Sequence, residues 1–370
     1  MSIRPLLSIL TDILDHLALA DAEGLQLVDA AAVAAQHHPP LNPDYPALLV
    51  APDAADLPDI ARTLLNQYPP ELAVQIVAAP APGADGWDIR SVTLGQLAAA
   101  DGMRQLLALA VPPLPRPGSM EGFQETIAHL RAPEGCPWDR KQTHQSLRPY
   151  LLEETYEVLD ALDSGDPVAL REELGDLLLQ IVLHSQIAVD TGEFRMPDVI
   201  ASINEKIIRR HPHVWGDVEV SDDQDVKVNW DRLKEAEKRE ERTSRLEGVS
   251  KSLPALSQSF SYQDRAARVG FDWDSIDPVI AKVHEELREL LSAQTEAERA
   301  HEMGDLLFAA VNLARWLNVD PESALRNANQ RFFRRFRYIE EHAAAQNRPL
   351  EDMTLTEMDA LWDDAKANGL

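Results

Sequence analysis

An internal repeat is the feature that most constrains this chain. Gly-Cys-Pro-Trp-Asp at 135–139 returns as Gly-Phe-Asp-Trp-Asp at 270–274, and the Glu153, Glu154, Glu157 pattern returns as Glu285, Glu286, Glu289. Glu173-Leu-Gly-Asp176 returns as Glu302-Met-Gly-Asp305, and Lys206, Arg209 and Arg210 return as Arg331, Arg334 and Arg335. Trp230, Asp231 and Lys234 return as Trp362, Asp363 and Lys366. The five features keep one order, at offsets of 135, 132, 129, 125 and 132 residues. Self-similarity at a near-constant period marks a duplicated structural unit. Apolar residues there recur with period 3.6, glycines are few, and prolines sit mostly at segment ends, so each unit reads as a helical bundle. The expected fold is mainly α, with copies over about 119–245 and 246–370.

Residues 1–118 are of another kind. They hold 15 of the 25 prolines and no lysine, the first being Lys141. Ala47–Ala51 and Leu72–Ala78 are short apolar runs that read as buried strands. Leu57 to Tyr68 between them has helical spacing, which predicts a βαβ unit and a small α/β domain. Pro112-Pro113-Leu114-Pro115-Arg116-Pro117-Gly118 cannot continue a helix and reads as a stiff linker. This stretch has no glycine-rich phosphate loop and no acid–base cluster, so chemistry is expected in the repeats.

Composition narrows the function. Against 35 Lys and Arg stand 62 Asp and Glu, a net charge of −27. Such a chain does not coat a nucleic-acid polymer or an anionic membrane, both of which need a broad basic surface. A single cysteine, Cys136, excludes an internal disulfide framework. No apolar run approaches the roughly 20 residues of a membrane span. Asp12 and Asp15 interrupt the leucines near the N-terminus, so it does not read as a secretory signal. The expectation is a soluble cytoplasmic protein, with most acids, including the runs at 217–225 and 235–241, forming a solvating coat.

Eight acids have a more specific pattern. Residues three apart on a helix share a face, so Glu286 pairs with Glu289 and Glu302 with Asp305. Thirteen residues from Glu289 to Glu302 accommodate a helix end, a turn and the next helix start, which lets the two pairs face each other. Glu154, Glu157, Glu173 and Asp176 repeat the arrangement in the first copy. Leucines flank both sets, and carboxylates converging beside apolar surface repel one another and lose water. A divalent cation resolves both problems, and all-oxygen ligands favour Mg²⁺ or Mn²⁺ over zinc. A Glu-rich helix is more often a solvated face. The twofold occurrence, with Gly175 and Gly304 inside the second pair, argues against that, and these mid-helix glycines are expected to mark a close backbone approach. Di-iron bundles use Glu-x-x-His from two helices; only Glu298 to His301 has that spacing, without a counterpart in the first copy. The basic helix after each acidic set suits a polyphosphate, and Trp230 and Trp362 offer faces for stacking a base.

Together, Glu-Glu-x-x-Glu, Glu-x-x-Asp, Gly-Cys-Pro-Trp-Asp, Arg-Arg-His-Pro-His-Val at 209–214 and Gly-Phe-Asp-Trp resemble the tandem-domain MazG family of all-α nucleoside triphosphate pyrophosphohydrolases. The resemblance covers about 119–370. It implies two MazG domains that pair into homodimers and Mg²⁺-dependent hydrolysis of nucleoside triphosphates to monophosphate and pyrophosphate. Carried over by position, Glu286, Glu289, Glu302 and Asp305 would be magnesium ligands and catalytic. Lys282, Arg331, Arg335 and Trp362 would contact nucleotide, with Arg334 on the same basic helix. Glu285 would orient or deprotonate the attacking water. Arg331 stands where the family has Lys, which keeps the charge and changes the geometry. Lys282 aligns with the uncharged Tyr150, so the second copy is expected to be the better nucleotide site. Residues 48–97, with Tyr-Pro-Pro at 68–70 and Val-Thr-Leu-Gly-Gln-Leu at 92–97, resemble the C-terminal half of the tetrapyrrole methylase fold. The cofactor-binding half is missing, so residues 1–118 are expected to dock or dimerise rather than transfer methyl groups. The competing functions are a nucleotide-binding regulatory scaffold without turnover and a hydrolase of a narrower nucleotide such as a (p)ppGpp-like alarmone.

Overall fold

The structure is a computed structural model that describes residues 3–19, 22–80, 86–100, 105–223, 225–226, 229–230, 233 and 244–370. The chain forms two compact units, Met1–Ser202 and Ile203–Leu370.

In the first unit, the two apolar runs become the second and third strands of a five-stranded sheet. The five are β1 (Gln26–Asp29), β2 (Ala47–Val50), β3 (Ala73–Ala78), β4 (Asp88–Thr93) and β5 (Leu106–Val111), ordered β1-β2-β5-β3-β4. β1 is parallel to β2, while β5 runs antiparallel to both β2 and β3. The expected βαβ unit is present as β2, the helix α3 (Leu57–Leu64) and β3, with β5 inserted between the two parallel strands. Successive strand residues point to opposite faces. Leu49, Ile76 and Leu109 pack with Leu57, Ile60 and Leu64 of α3, while Leu48, Val77 and Ala108 pack with Ile13 of α1 (Ile3–His16). Burial on both faces explains why β2 and β3 read as continuous apolar runs. The short α2 (Ala30–Ala34) follows β1.

The proline-rich segment is fastened rather than loose. The Leu114 amide donates to the Pro43 carbonyl at 2.8 Å, and the Gly118 amide donates to the Asp44 carboxylate at 2.7 Å. The Ser119 hydroxyl also donates to Asp44 while accepting from the Gly122 amide, which caps α4 (Met120–Arg131). The Ser119 hydroxyl, then the Gly118 amide, hold the Asp44 carboxyl below its ordinary range.

The two copies use helices in the same order. The first has α4, α5 (Arg148–Ser164), α6 (Pro167–Thr191) and α7 (Met196–Arg210), followed by the short α8 (Pro212–Trp215). The second has α9 (Ala255–Ala267), α10 (Ile276–Ser292), α11 (Glu296–Trp316), α12 (Pro321–Ala345) and α13 (Leu355–Ala367). α5 and α10 each have 17 residues. Ile127, Leu147, Val182, Leu183, Ile187 and Met196 form the core of the first bundle. Between α10 and α11 only three residues turn the chain, and the Thr295–Glu298 capping box closes the start of α11. Asp231, Lys234 and the charged run at 235–241 lie outside the described residues.

One expectation is corrected. Gly175 and Gly304 mark no close approach, since a Cβ on either would meet open space within 4 Å. Each sits inside a regular helix on a side that nothing else among the described residues crowds. A crowded glycine of these motifs is Gly135, where a Cβ would lie 2.2 Å from the His129 carbonyl oxygen. Gly270, its counterpart, has φ +85°, a backbone that side chains rarely adopt.

Candidate active site

The second copy assembles its acids across the α10–α11 hairpin. Carboxylate oxygens of Glu286, Glu289 and Glu302 lie within 4.8 Å of one another. Glu286 is buried at 5% exposure, so its charge needs a partner. Lys282 supplies one: its Nζ lies 2.8 Å from both Glu285 and Glu286. Glu285 and then Glu286 hold the Lys282 ammonium above its usual range, and Lys282 in turn holds Glu285 below the ordinary carboxylate range. Asp305, one turn past Glu302, meets His301 at 3.4 Å instead of joining the three glutamates.

The first copy repeats the cluster with no lysine paired to it among the described residues. Glu154, Glu157 and Glu173 bring oxygens within the same 4.8 Å. Tyr150, at the position of Lys282, packs edge-on against Trp138 with ring centroids 6.0 Å apart. Loss of water and then repulsion from Asp176 and Glu157 push the Glu154 carboxyl up. Loss of water, then Glu157 and Asp176, do the same to Glu173. Both clusters are thus hard oxygen donor sets with an excess of negative charge, and the chemistry fits a divalent cation such as Mg²⁺.

The basic residues divide. Arg335 is held: its Nε donates to the Leu370 carbonyl at 2.7 Å, and its guanidinium lies 5.4 Å from the centroid of the Trp362 ring. The Phe332 ring lies 5.3 Å from the same tryptophan. Arg331 and Arg334 point to solvent from α12, with no ion pair or hydrogen bond among the described residues. In the first copy, Arg210 approaches Trp230 in the same way at 5.3 Å.

Sequence reasoning missed a cavity of about 410 Å³ beside the acidic hairpin. Tyr262, Gln263, Phe271, Trp273, Phe308 and Asn312 are among the residues that line it. Asp272 anchors its wall by accepting from Arg315 at 2.6 Å and from the Trp316 indole at 3.2 Å. The aromatic residues of Gly-Phe-Asp-Trp were the available signal, but they share no helical face that spacing alone reveals.

The two helical copies each close a cluster of hard oxygen donors across antiparallel helices. A model of the MazG nucleotide pyrophosphohydrolase domain matches residues 142–215, and one of phosphoribosyl-ATP pyrophosphohydrolase matches residues 253–332. The chain is 47% identical over 247 residues to the nucleoside triphosphate pyrophosphohydrolase/pyrophosphatase MazG of Thermotoga maritima, covering 66% of this chain and 95% of that protein. It is 44% identical over 247 residues to the nucleoside triphosphate pyrophosphohydrolase of Escherichia coli K12, covering 65% of this chain and 94% of that one. Similarity to YabN of Bacillus subtilis, an uncharacterized protein, extends further, with 42% identity over 357 residues, 93% of this chain and 71% of YabN. The chain belongs to the MazG family of nucleoside triphosphate pyrophosphohydrolases, a family of hydrolases. No helix among the described residues is long and apolar enough to cross a membrane.

Proposed function

We propose that this enzyme hydrolyses nucleoside triphosphates to monophosphate and pyrophosphate, chiefly at the second copy and with Mg²⁺ or Mn²⁺. The observation that carries this reading is the Glu286, Glu289, Glu302 cluster with Lys282 beside it. Glu286, Glu289 and Glu302 would hold the cation, with Asp305 one turn away available to join them. When bound, the cation would neutralise phosphate charge and lower the pKa of a coordinated water.

The remaining chemistry falls to side chains. Lys282 is poised between two carboxylates on an exposed helix edge, where it can turn to a phosphate oxygen as a compact point charge. That turn releases Glu285 to accept a proton from the attacking water. Arg331 and Arg334, with no partner among the described residues, and Arg335, fixed against Trp362, would hold the leaving pyrophosphate. The first copy has Tyr150 in place of Lys282, which supports a metal site of weaker turnover there. A second copy of the chain is the proposed protein partner, supported by the large apolar side chains Leu291, Phe332 and Phe333, exposed by 78%, 59% and 66%.

The test is a panel of canonical and modified nucleoside triphosphates with and without Mg²⁺, scored for monophosphate and pyrophosphate. Release of both products in the metal-containing arm is expected. Binding of nucleotides without turnover of any would overturn the reading in favour of a regulatory scaffold. Turnover of an alarmone alone would replace the substrate class.

A further inference from the structure

We propose that the cavity at the Gly270–Trp273 turn is the nucleobase subsite of the second copy, with the Gln263 side-chain carbonyl as acceptor for an N–H of the base. This rests on the hydrolase reading above and names where that site recognises its substrate.

The first observation is an unsatisfied group. Gln263 is 8% exposed, and its Nε2 donates to the Phe308 backbone carbonyl at 2.8 Å. That bond fixes the orientation of the amide, because only the nitrogen can face a carbonyl. The other end, Oε1, is buried with no hydrogen-bond partner among the described residues. A buried acceptor left unpaired is costly, and native proteins rarely keep one without a use. Across the same cavity, Asn312 accepts from Arg315 through Oδ1, so its Nδ2 is turned to donate elsewhere. One acceptor and one donor among aromatic rings suit a planar heterocycle with mixed hydrogen-bonding edges.

The second observation is shape. About 410 Å³ lies within the roughly 300–1,000 Å³ range of small-molecule sites. Tyr262, Phe271, Trp273 and Phe308 supply faces for stacking. Trp362 is a poorer platform, because Arg335 and Phe332 already crowd its ring.

The third is position. Phe308 and Asn312 follow Glu302 and Asp305 on α11 by an average of 6.5 residues, or about 10 Å along the axis at 1.5 Å per residue. On the antiparallel α10, Lys282 precedes Glu286 by one turn, toward the Phe271–Trp273 end. The hairpin therefore presents metal ligands, then a phosphate-seeking lysine, then the cavity, in the order that a nucleotide presents phosphates, sugar and base.

The fourth is contrast between the copies. At the repeat offsets, Tyr262, Phe308 and Asn312 become Ile127, Leu179 and Leu183, which lie in or against the buried core of the first bundle. The first copy fills with aliphatic side chains the space that the second keeps open.

The test compares the full-length enzyme with its Gln263→Leu and Phe271→Ala variants. Leucine keeps much of the volume and removes the acceptor together with the Nε2 bond to the Phe308 carbonyl, and Phe271 is 82% exposed, so its truncation spares the core. Each variant is expected to raise KM for nucleoside triphosphates by about threefold to tenfold, the worth of one hydrogen bond or stacked ring, with kcat within about twofold. Inhibition by inorganic triphosphate, which has phosphates and no base, is expected to stay as in the native enzyme. Unchanged KM in both variants, or weakened triphosphate inhibition in step with KM, would overturn the proposal. Binding of AMP, read by tryptophan fluorescence with Trp273→Phe as control, decides the subsite apart from turnover. A quench that needs Trp273 and weakens in Gln263→Leu supports it, and a quench indifferent to both sinks it even if hydrolysis is confirmed.

Discussion

Two glycines of the acidic and aromatic motifs show how differently a residue type can be used. At Gly135 a methyl group would meet the backbone carbonyls of His129 and Leu130 at 2.2 and 2.4 Å, and no flexible side chain is there to yield. Gly135→Ala is expected to destabilise the first bundle by about 3 kcal/mol or more, at the upper end of single-substitution effects. At Gly304 nothing lies within 4 Å of the added carbon, so only the helix propensity changes. Gly304→Ala is expected to raise stability by about 1 kcal/mol. Denaturant unfolding of both variants checks the pair, and a destabilised Gly304→Ala protein would show that the open space is used in solution. The sequence could not separate these cases. A glycine inside an acidic helix raises the question of close approach, and only the neighbours answer it.

Helix ends and hairpins carry the next level of order. α11 starts at Thr295, whose hydroxyl accepts from the Glu298 amide at 3.1 Å while Glu298 accepts from the Thr295 amide at 3.0 Å. This box aims the helix that brings Glu302 to Glu286 and Glu289. Thr295→Ala is expected to cost about 1 kcal/mol and to weaken metal binding, measured by calorimetric titration with Mg²⁺. Retained metal affinity in a destabilised variant would show that packing alone positions Glu302. A similar box opens α13, where Glu357 accepts from Thr354 and pairs with Arg348 at 2.7 Å. Arg348 first, then the Thr354 amide and hydroxyl, lower the Glu357 carboxyl to about 2 from its ordinary 4.5. Because the folded-state value is depressed, this contribution is present above pH 4.5 and lost as pH falls toward 2. Glu357→Gln is therefore expected to narrow the difference in thermal midpoint between pH 6 and pH 3, as followed by circular dichroism. The acidic hairpin was legible in the sequence because it depends on i,i+3 spacing and a short turn, both local. The insertion of β5 between β2 and β3 was not, because strand order depends on pairing between distant segments. The cavity escaped for the same reason, since Gln263 and Phe308 are 45 residues apart.

For the whole molecule, duplication supplies two clusters with different electrostatics, and the net charge of −27 makes that difference matter. In the second copy Lys282 offsets part of the acidic charge before any cation arrives. In the first, loss of water and then repulsion among the acids raise the Glu154 and Glu173 carboxyls, and a divalent ion would relieve both. Both clusters are expected to bind metal, and the copy that positions phosphate is expected to turn over substrate. A ligand that binds the folded state stabilises it by RT ln(1 + [L]/Kd), so Mg²⁺ should raise the melting temperature of each copy that holds it. Calorimetric titration of the native chain is expected to give two Mg²⁺ sites, and Glu157→Gln and Glu289→Gln one each. Pyrophosphate release separates the roles further. Loss on the order of 10²-fold or more is expected for Glu289→Gln, as for removal of a group that stabilises developing charge, while Glu157→Gln keeps most of the native rate. Equal losses would make the copies equivalent despite Tyr150. Loss only in Glu157→Gln would move turnover to the first copy, where Leu179 and Leu183 stand at the positions of the cavity-lining Phe308 and Asn312.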